Sequence, residues 1–328
     1  MAVGAADPVR SRLASGGLTR LLRHGDRPFA GVTLLAALGL LLLVVAIGWT
    51  LWQDSAIPRA AFGWAFLTTT AWDPALTFTF GALPYIEGTL VTSLLALLIA
   101  VPVGLGAAIF LAELAPRWVS RPLGLLIELL AAVPSVVYGL WGLFVLVPVV
   151  IKPLGGVLSS KLGFLPLFSG PIFGPSRLAA GILLAIMVLP TIAVISREVF
   201  QAIPAAQREG AMALGATRWE VVRQVLVPYG LSGFLGAIIL GLGRAFGETI
   251  AVTMVIGNNL DLSASLLHPG YTMASIIANE FTEATSDIHL QALIEIGLVL
   301  FAMTLIINFL AQLLIWRVRR QVTMRAAA

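Results

Sequence analysis

Two places in this sequence combine charge and spacing in ways that could do chemistry. The first is GLGRAFGETIAV, Gly241 to Val252, inside a run from Tyr229 to Gly257 that is otherwise apolar or small. Arg244 stands near the middle of that run, and Glu248 follows four residues later. On a continuous helix the two share a face and can offset one another's charge. An arginine at mid-bilayer costs about 2.5–3.5 kcal/mol on insertion scales. A guanidinium is also a planar fork of donors matched to phosphate oxygens. Two roles follow. The pair is either a self-neutralised structural ion pair or a transient anion site. In the second role Glu248 holds the arginine between passages and keeps affinity low enough for release. An apolar pair would be the cheaper structural solution, which favours the site.

The second place is IPAAQREGAMALGATRWEVVRQVLVPYG, Ile203 to Gly230. It reads as two helices and a turn. Pro204 suits a first helical position, and Ala205 to Leu214 are mostly good helix formers. Gly215 stands where a left-handed residue would end that helix. Thr217 offers an N-cap, and Glu220 three residues on completes a capping box. The second helix is expected to end before Pro228, which opens the next apolar run. The first helix holds no large apolar residue beyond Met212 and Leu214. Small side chains suit insertion into a protein recess better than anchoring in lipid.

Both places need a membrane around them, and the composition supplies it. The chain has 328 residues, of which 59% are hydrophobic and 11% charged, with a mean hydropathy of +0.98. Soluble domains carry roughly 25% charged residues. The absence of cysteine excludes disulfides and thiol chemistry. The three histidines, His24, His268 and His289, are scattered, so no metal spacing exists, and no cofactor is expected. Neither Lys152 nor Lys161 follows a glycine, so there is no phosphate loop, and any ATP hydrolysis belongs to another chain. The chain itself is therefore expected to be no enzyme. Apolar runs at about 29–52, 86–112, 122–150, 177–198, 229–257 and 289–316 predict an all-α, six-span membrane protein. Its expected parts are a basic tail at 1–28, a first helix and extracytoplasmic segment at 29–83, a transmembrane domain at 84–320 and a short tail at 321–328.

Basic residues give the orientation. In a six-span arrangement fifteen fall on one side and four (Arg59, Lys152, Lys161, Arg177) on the other, with Arg244 inside a span. Both termini are then cytoplasmic in a plasma membrane, and the pI near 10.0 needs no nucleic acid. Pro102, Pro134 and Pro190 interrupt spans and predict kinks. Ser232, Gly236, Gly243 and Gly247 predict close helix packing in the fifth. Glu87, Glu128 and Glu295 lie within two turns of span ends, from which they could reach the interface. Ser135 and Tyr138 flank Pro134 and could line a path.

Glu209-Gly210-Ala211, then Gly215, then Val225-Leu226-Val227-Pro228, resembles the EAA loop of ABC-importer permeases at matching spacing. Gly210, Val225 and Val227 are mild departures from that pattern. More narrowly, WDP at 72–74, FGALPYIEGTL at 80–90, ELLAAVPSVVYGLWGLF at 128–144 and GRAFGETIAVTMVIGN at 243–258 resemble PstC-type permeases of phosphate ABC importers. The resemblance implies a type I permease fold. It implies that Glu209, Gly210, Ala211, Gly215 and Pro228 belong to an elbow that docks on a cytoplasmic ATPase. It implies as partners a homologous PstA-type permease, two ATPase copies and an extracytoplasmic phosphate-binding protein. Rival readings are import of another oxyanion, such as sulfate or molybdate, and a secondary transporter without an ATPase.

Overall fold

The computed structural model describes residues 26–327. The basic tail expected before residue 26 lies outside the described residues. Among the described residues six helices are long and apolar enough to cross a membrane: Phe29–Asp54, Leu83–Leu114, Ser135–Leu162, Arg177–Ala202, Arg218–Gly247 and Asp287–Arg317. They answer in number to the six expected runs, but the third lies at 135–162 where 122–150 was expected and the fifth at 218–247 where 229–257 was expected. The chain forms two units that divide at Gln53 and Asp54. The first holds helix α1 (Asp26–Asp54), which carries no charge from Phe29 to Gln53. A helix that is apolar all round is one that lipid or protein surrounds on every side.

The second unit opens with α2 (Ala56–Phe62) and a two-stranded antiparallel hairpin, β1 (Trp72–Asp73) and β2 (Thr79–Phe80). This small hairpin qualifies the all-α expectation. The Asp73 carboxylate closes its turn by accepting the backbone N–H groups of Ala75, Leu76 and Thr77, each at 3.0 Å. Next comes α3 (Leu83–Ile109), extended by a π-helical turn, Phe110–Leu114. The third apolar run is two helices in series. Helix α4 (Arg117–Ala132) ends at Val133, and α5 (Ser135–Trp141) continues through a π-helical stretch, Gly142–Ile151, into α6 (Lys152–Leu162). Residues 152–162, which lie between the apolar runs expected at 122–150 and 177–198, are helix. Pro134 forces the break, because the residue before a proline is pushed out of helical geometry.

Helix α7 (Arg177–Ala202) is the centre of the unit. Leu183, Met187, Val188, Ile192 and Phe200 are all fully buried. Glycines bring its neighbours close. Gly181 faces Leu95 and Gly104 faces Ile192, so α3 runs parallel to α7. Two short helices follow, α8 (Ala205–Ala213) and α9 (Arg218–Val221). A π turn, Val222–Leu226, leads straight from α9 into α10 (Val227–Gly247). Gly233 faces Val199 and Gly241 faces Val188 and Ile192, so α10 runs antiparallel to α7. Then come α11 (Ile250–Ile256), α12 (Met273–Glu280) and the long α13 (Asp287–Ala327).

Two departures from the expected elements concern where helices end. Pro228 does not end a helix, because the widened turn before it accommodates the missing N–H and the ring. The fifth run is not one helix either, since α10 stops at Gly247. The expected glycine packing is only partly present. A Cβ added at Gly236, Gly243 or Gly247 would meet nothing within 4 Å, so among the described residues that face is unpacked.

Candidate functional site

Arg244 lies in the last turn of α10, where a cation meets the negative end of the helix dipole. Its depth follows from packing. Gly104 of α3 and Gly241 of α10 both lie against Ile192 of α7. Arg244 is three residues beyond Gly241, about 4.5 Å at 1.5 Å per residue. That puts it level with about Val101, near the midpoint of Leu83–Leu114. Measured against α3, Arg244 thus stands near mid-length, although it lies three residues from the end of its own helix at Gly247.

The Val133–Pro134 break reaches the same depth. Gly124 lies against Arg197 and Gly142 against Leu183, so α4 and α5 together run antiparallel to α7. The break falls about midway, within roughly one helical turn of Arg244. The end of α4 before Ser135–Leu162 and the end of α10 at Gly247 thus fall at one level beside a charge. Irregular backbone at membrane depth is tolerated where it is buried in protein or lines a water-filled cavity.

The broken ends are organised. Tyr138, buried on α5, donates its hydroxyl to the Leu130 carbonyl at 2.8 Å, which satisfies a carbonyl freed at the end of α4. Gly139 lets α11 come near, since a Cβ added there would stand only 3.0 Å from the Ala251 Cα. Thr249 donates its hydroxyl to the Gly247 carbonyl at 3.1 Å.

Glu248 requires a correction. It is not one turn along a helix from Arg244, because its backbone is extended (φ −71°, ψ 121°). No ion pair joins the two. Instead Glu248 Oε1 accepts the backbone N–H of Ala251 at 3.3 Å and so caps α11. Local side-chain bonding of this kind competes with helix continuation, and the β-branched Thr249 and Ile250 weaken the helix further. Arg244 is left half-buried, with no hydrogen bond or ion pair among the described residues.

The elbow matches its sequence reading closely. Gly215 is left-handed at φ +89°. Ala216 N–H reaches the Ala211 carbonyl at 3.2 Å and Gly215 N–H reaches Met212 at 3.0 Å, a Schellman ending. Thr217 and Glu220 form the reciprocal capping box. Pro204 is the N-cap and not the first helical residue. Glu209 and Gly210 are exposed, Ala211 is half-buried and Pro228 lies at the start of α10. Leu214 is 90% exposed.

One residue counted only as an orienting charge does more. Arg177 is 1% exposed, pairs with Glu87 at 2.9 Å and donates to the carbonyls of Ser263 and, at 3.1 Å, Asp261. Glu87 therefore faces a buried partner and not the interface, and Glu295, at 5% exposed, is also interior. Glu128 stays half-exposed, 3.8 Å from Arg197. Nothing in the spacing of Glu87 and Arg177 signals that they meet.

Residues 100–320 match the family model described as the binding-protein-dependent transport system inner membrane component. The chain is 47% identical over 296 residues to the phosphate transport system permease protein PstC of Haemophilus influenzae, covering 89% of this chain and 93% of that relative. It is 50% identical over 263 residues to the protein of that name from Xylella fastidiosa, covering 79% and 81%. A crystal structure of a bacterial alginate ABC transporter, in complex with a periplasmic protein bound to alginate pentasaccharide, has a chain of the same fold. The TM-score is 0.57 at 14% identity, covering 89% of this chain and 96% of that one.

Proposed function

Because the chain belongs to the binding-protein-dependent transport system inner membrane components, we propose that its substrate passes at the depth shared by Arg244 and the two helix breaks. The chain is the permease subunit of an ATP-driven importer of inorganic phosphate, a multi-pass protein of the plasma membrane. The observation that carries the site is the coincidence of an unpaired guanidinium with two interrupted helices at mid-depth.

Arg244 offers phosphate oxygens a fork of donors and a full positive charge. Among the described residues no carboxylate competes for it within bonding distance. Glu248, across the break, holds the start of α11 and sets a negative charge near the path. That charge opposes lingering occupancy, so the site releases as well as binds. Tyr138 fixes the facing break.

The elbow 203–228 is the docking element for a cytoplasmic ATPase, which supplies the hydrolysis. Its exposed Glu209, Gly210 and Leu214 support this reading. The partners are a PstA-type permease, two ATPase copies and an extracytoplasmic phosphate-binding protein. The basic-residue bias favours both termini in the cytoplasm.

Labelled phosphate uptake measured beside membrane abundance tests the site. Arg244→Gln is expected to abolish uptake at normal abundance, alone or combined with Glu248→Gln. Near-normal uptake by the abundant double variant would reduce Arg244 to a packing residue.

A further inference from the structure

We propose that Glu113 and Arg208 form a strut that carries movement of the elbow into the paired central helices α3 and α7. The inference rests on the reading of 203–228 as an ATPase-docking elbow.

Helix α8 has no buried residue. Packing alone therefore holds it weakly to the bundle. It leaves α7 through the extended Pro204 and leaves itself through the left-handed Gly215. A cavity of about 250 Å³, lined by Glu113, Arg208, Met212, Arg218 and Val221, separates it from its neighbours. Arg208 crosses that gap. Its Nε lies 3.1 Å from both oxygens of Glu113, and one terminal nitrogen lies 2.7 Å from Oε1. The other donates to the Ile203 carbonyl at 2.6 Å, and a further bond reaches the Phe200 carbonyl. Both side chains are largely shielded, at 21% and 14% exposure.

One guanidinium thus joins three elements. Glu113 belongs to the π turn that extends α3, and Phe200 belongs to α7. The two carbonyls lie at the C-terminal end of α7, where Phe200 also accepts the Ile203 N–H at 3.3 Å, and the negative end of the helix favours a cation there. A bidentate Arg–carboxylate pair fixes direction as well as distance. A push on α8 then moves the ends of α3 and α7 together. Loose apolar contact across the same gap would not transmit direction. Glu113 and Arg208 are positioning residues and touch no substrate.

The experiment uses the full importer reconstituted in vesicles, with Glu113→Ala, Glu113→Gln, Arg208→Lys and the elbow variant Gly215→Val. Abundance, co-purification of the ATPase, and phosphate moved per ATP hydrolysed are measured. Glu113→Ala is expected to assemble normally and to move roughly tenfold less phosphate per ATP. Glu113→Gln should be intermediate, and Arg208→Lys, which keeps charge without the fork, should also be partial. Wild-type phosphate per ATP in Glu113→Ala overturns the strut. So does uptake that falls only in proportion to abundance in both Glu113 variants, which marks a brace for folding alone. If Gly215→Val keeps full ATPase docking and coupling, the elbow reading itself fails, whatever the Glu113 result.

Discussion

At the scale of single residues, the separation of Arg244 from Glu248 changes what substitution should do. Glu248→Gln keeps an oxygen to accept the Ala251 N–H, so α11 should keep its cap. Glu248→Ala removes that acceptor and should lower the thermal midpoint of the purified protein relative to Glu248→Gln. Arg244→Lys should keep part of the uptake, since charge survives and the fork does not. The Arg177–Glu87 pair behaves differently, because both groups are engaged in the interior. Removing one partner of a buried pair costs roughly 3–5 kcal/mol, while replacing both with apolar residues can be neutral. Arg177→Met should therefore lower stability more than the double change with Glu87→Leu, and equal stability of the two would contradict a paired role.

At the scale of elements, backbone geometry decides. Gly215→Val puts a β-branched residue at φ +89°, a region only glycine enters freely. The elbow turn should be lost and the ATPase should no longer co-purify, while the six spans stay inserted. Gly88 is more constrained. A Cβ there would collide with the Tyr271 carbonyl oxygen. Overpacking of this kind costs about 1–3 kcal/mol, and Gly88→Ala should show it as reduced membrane abundance. The β1–β2 hairpin depends on one carboxylate. Hydrogen bonds from Leu76, Ala75 and Thr77 hold the pKa of Asp73 down to about 2. A lowered carboxylate pKa stabilises the fold above the unfolded value, near 4, and loses that contribution as pH falls towards 2. Hydrogen-exchange protection across 72–80, taken relative to the intrinsic rate at each pH, should therefore fall over that acid range, and Asp73→Ala should show low protection even at neutral pH.

At the scale of the whole molecule, the two ends of the second unit are built differently. One end is an aromatic cluster in which Phe66, Trp72, Phe80 and Tyr85 pack on Tyr271, Met273 and Ile276. The other gathers Ala108, Phe200, Ile203, Leu226 and Phe234 beside the elbow. The proposed orientation puts the first outside and the second inside. A reporter fused after Leu262 should be extracytoplasmic, and reporters after Arg208 and Arg320 cytoplasmic. External labelling of a tag at 208 would overturn both the orientation and the elbow reading.

The sequence by itself determined the features that depend on local chemistry or on summed composition. Six apolar runs dictate six spans, because bilayer thickness sets their length. The elbow was legible to its caps, since Gly215, Thr217 and Glu220 act within a few residues of one another. Arg244 stood out because charge in an apolar run is costly wherever the run folds. The tertiary structure alone decided what each charge meets. Arg244 and Glu248 shared a face only if the helix continued, and the capping bond to Ala251 ended it. Arg177 and Glu87 lie 90 residues apart in the chain, and Arg208 and Glu113 lie 95 apart. No local pattern records such partners. They meet because glycines set α3, α7 and α10 at fixed registers, and those registers also bring two distant helix breaks to the depth of one arginine.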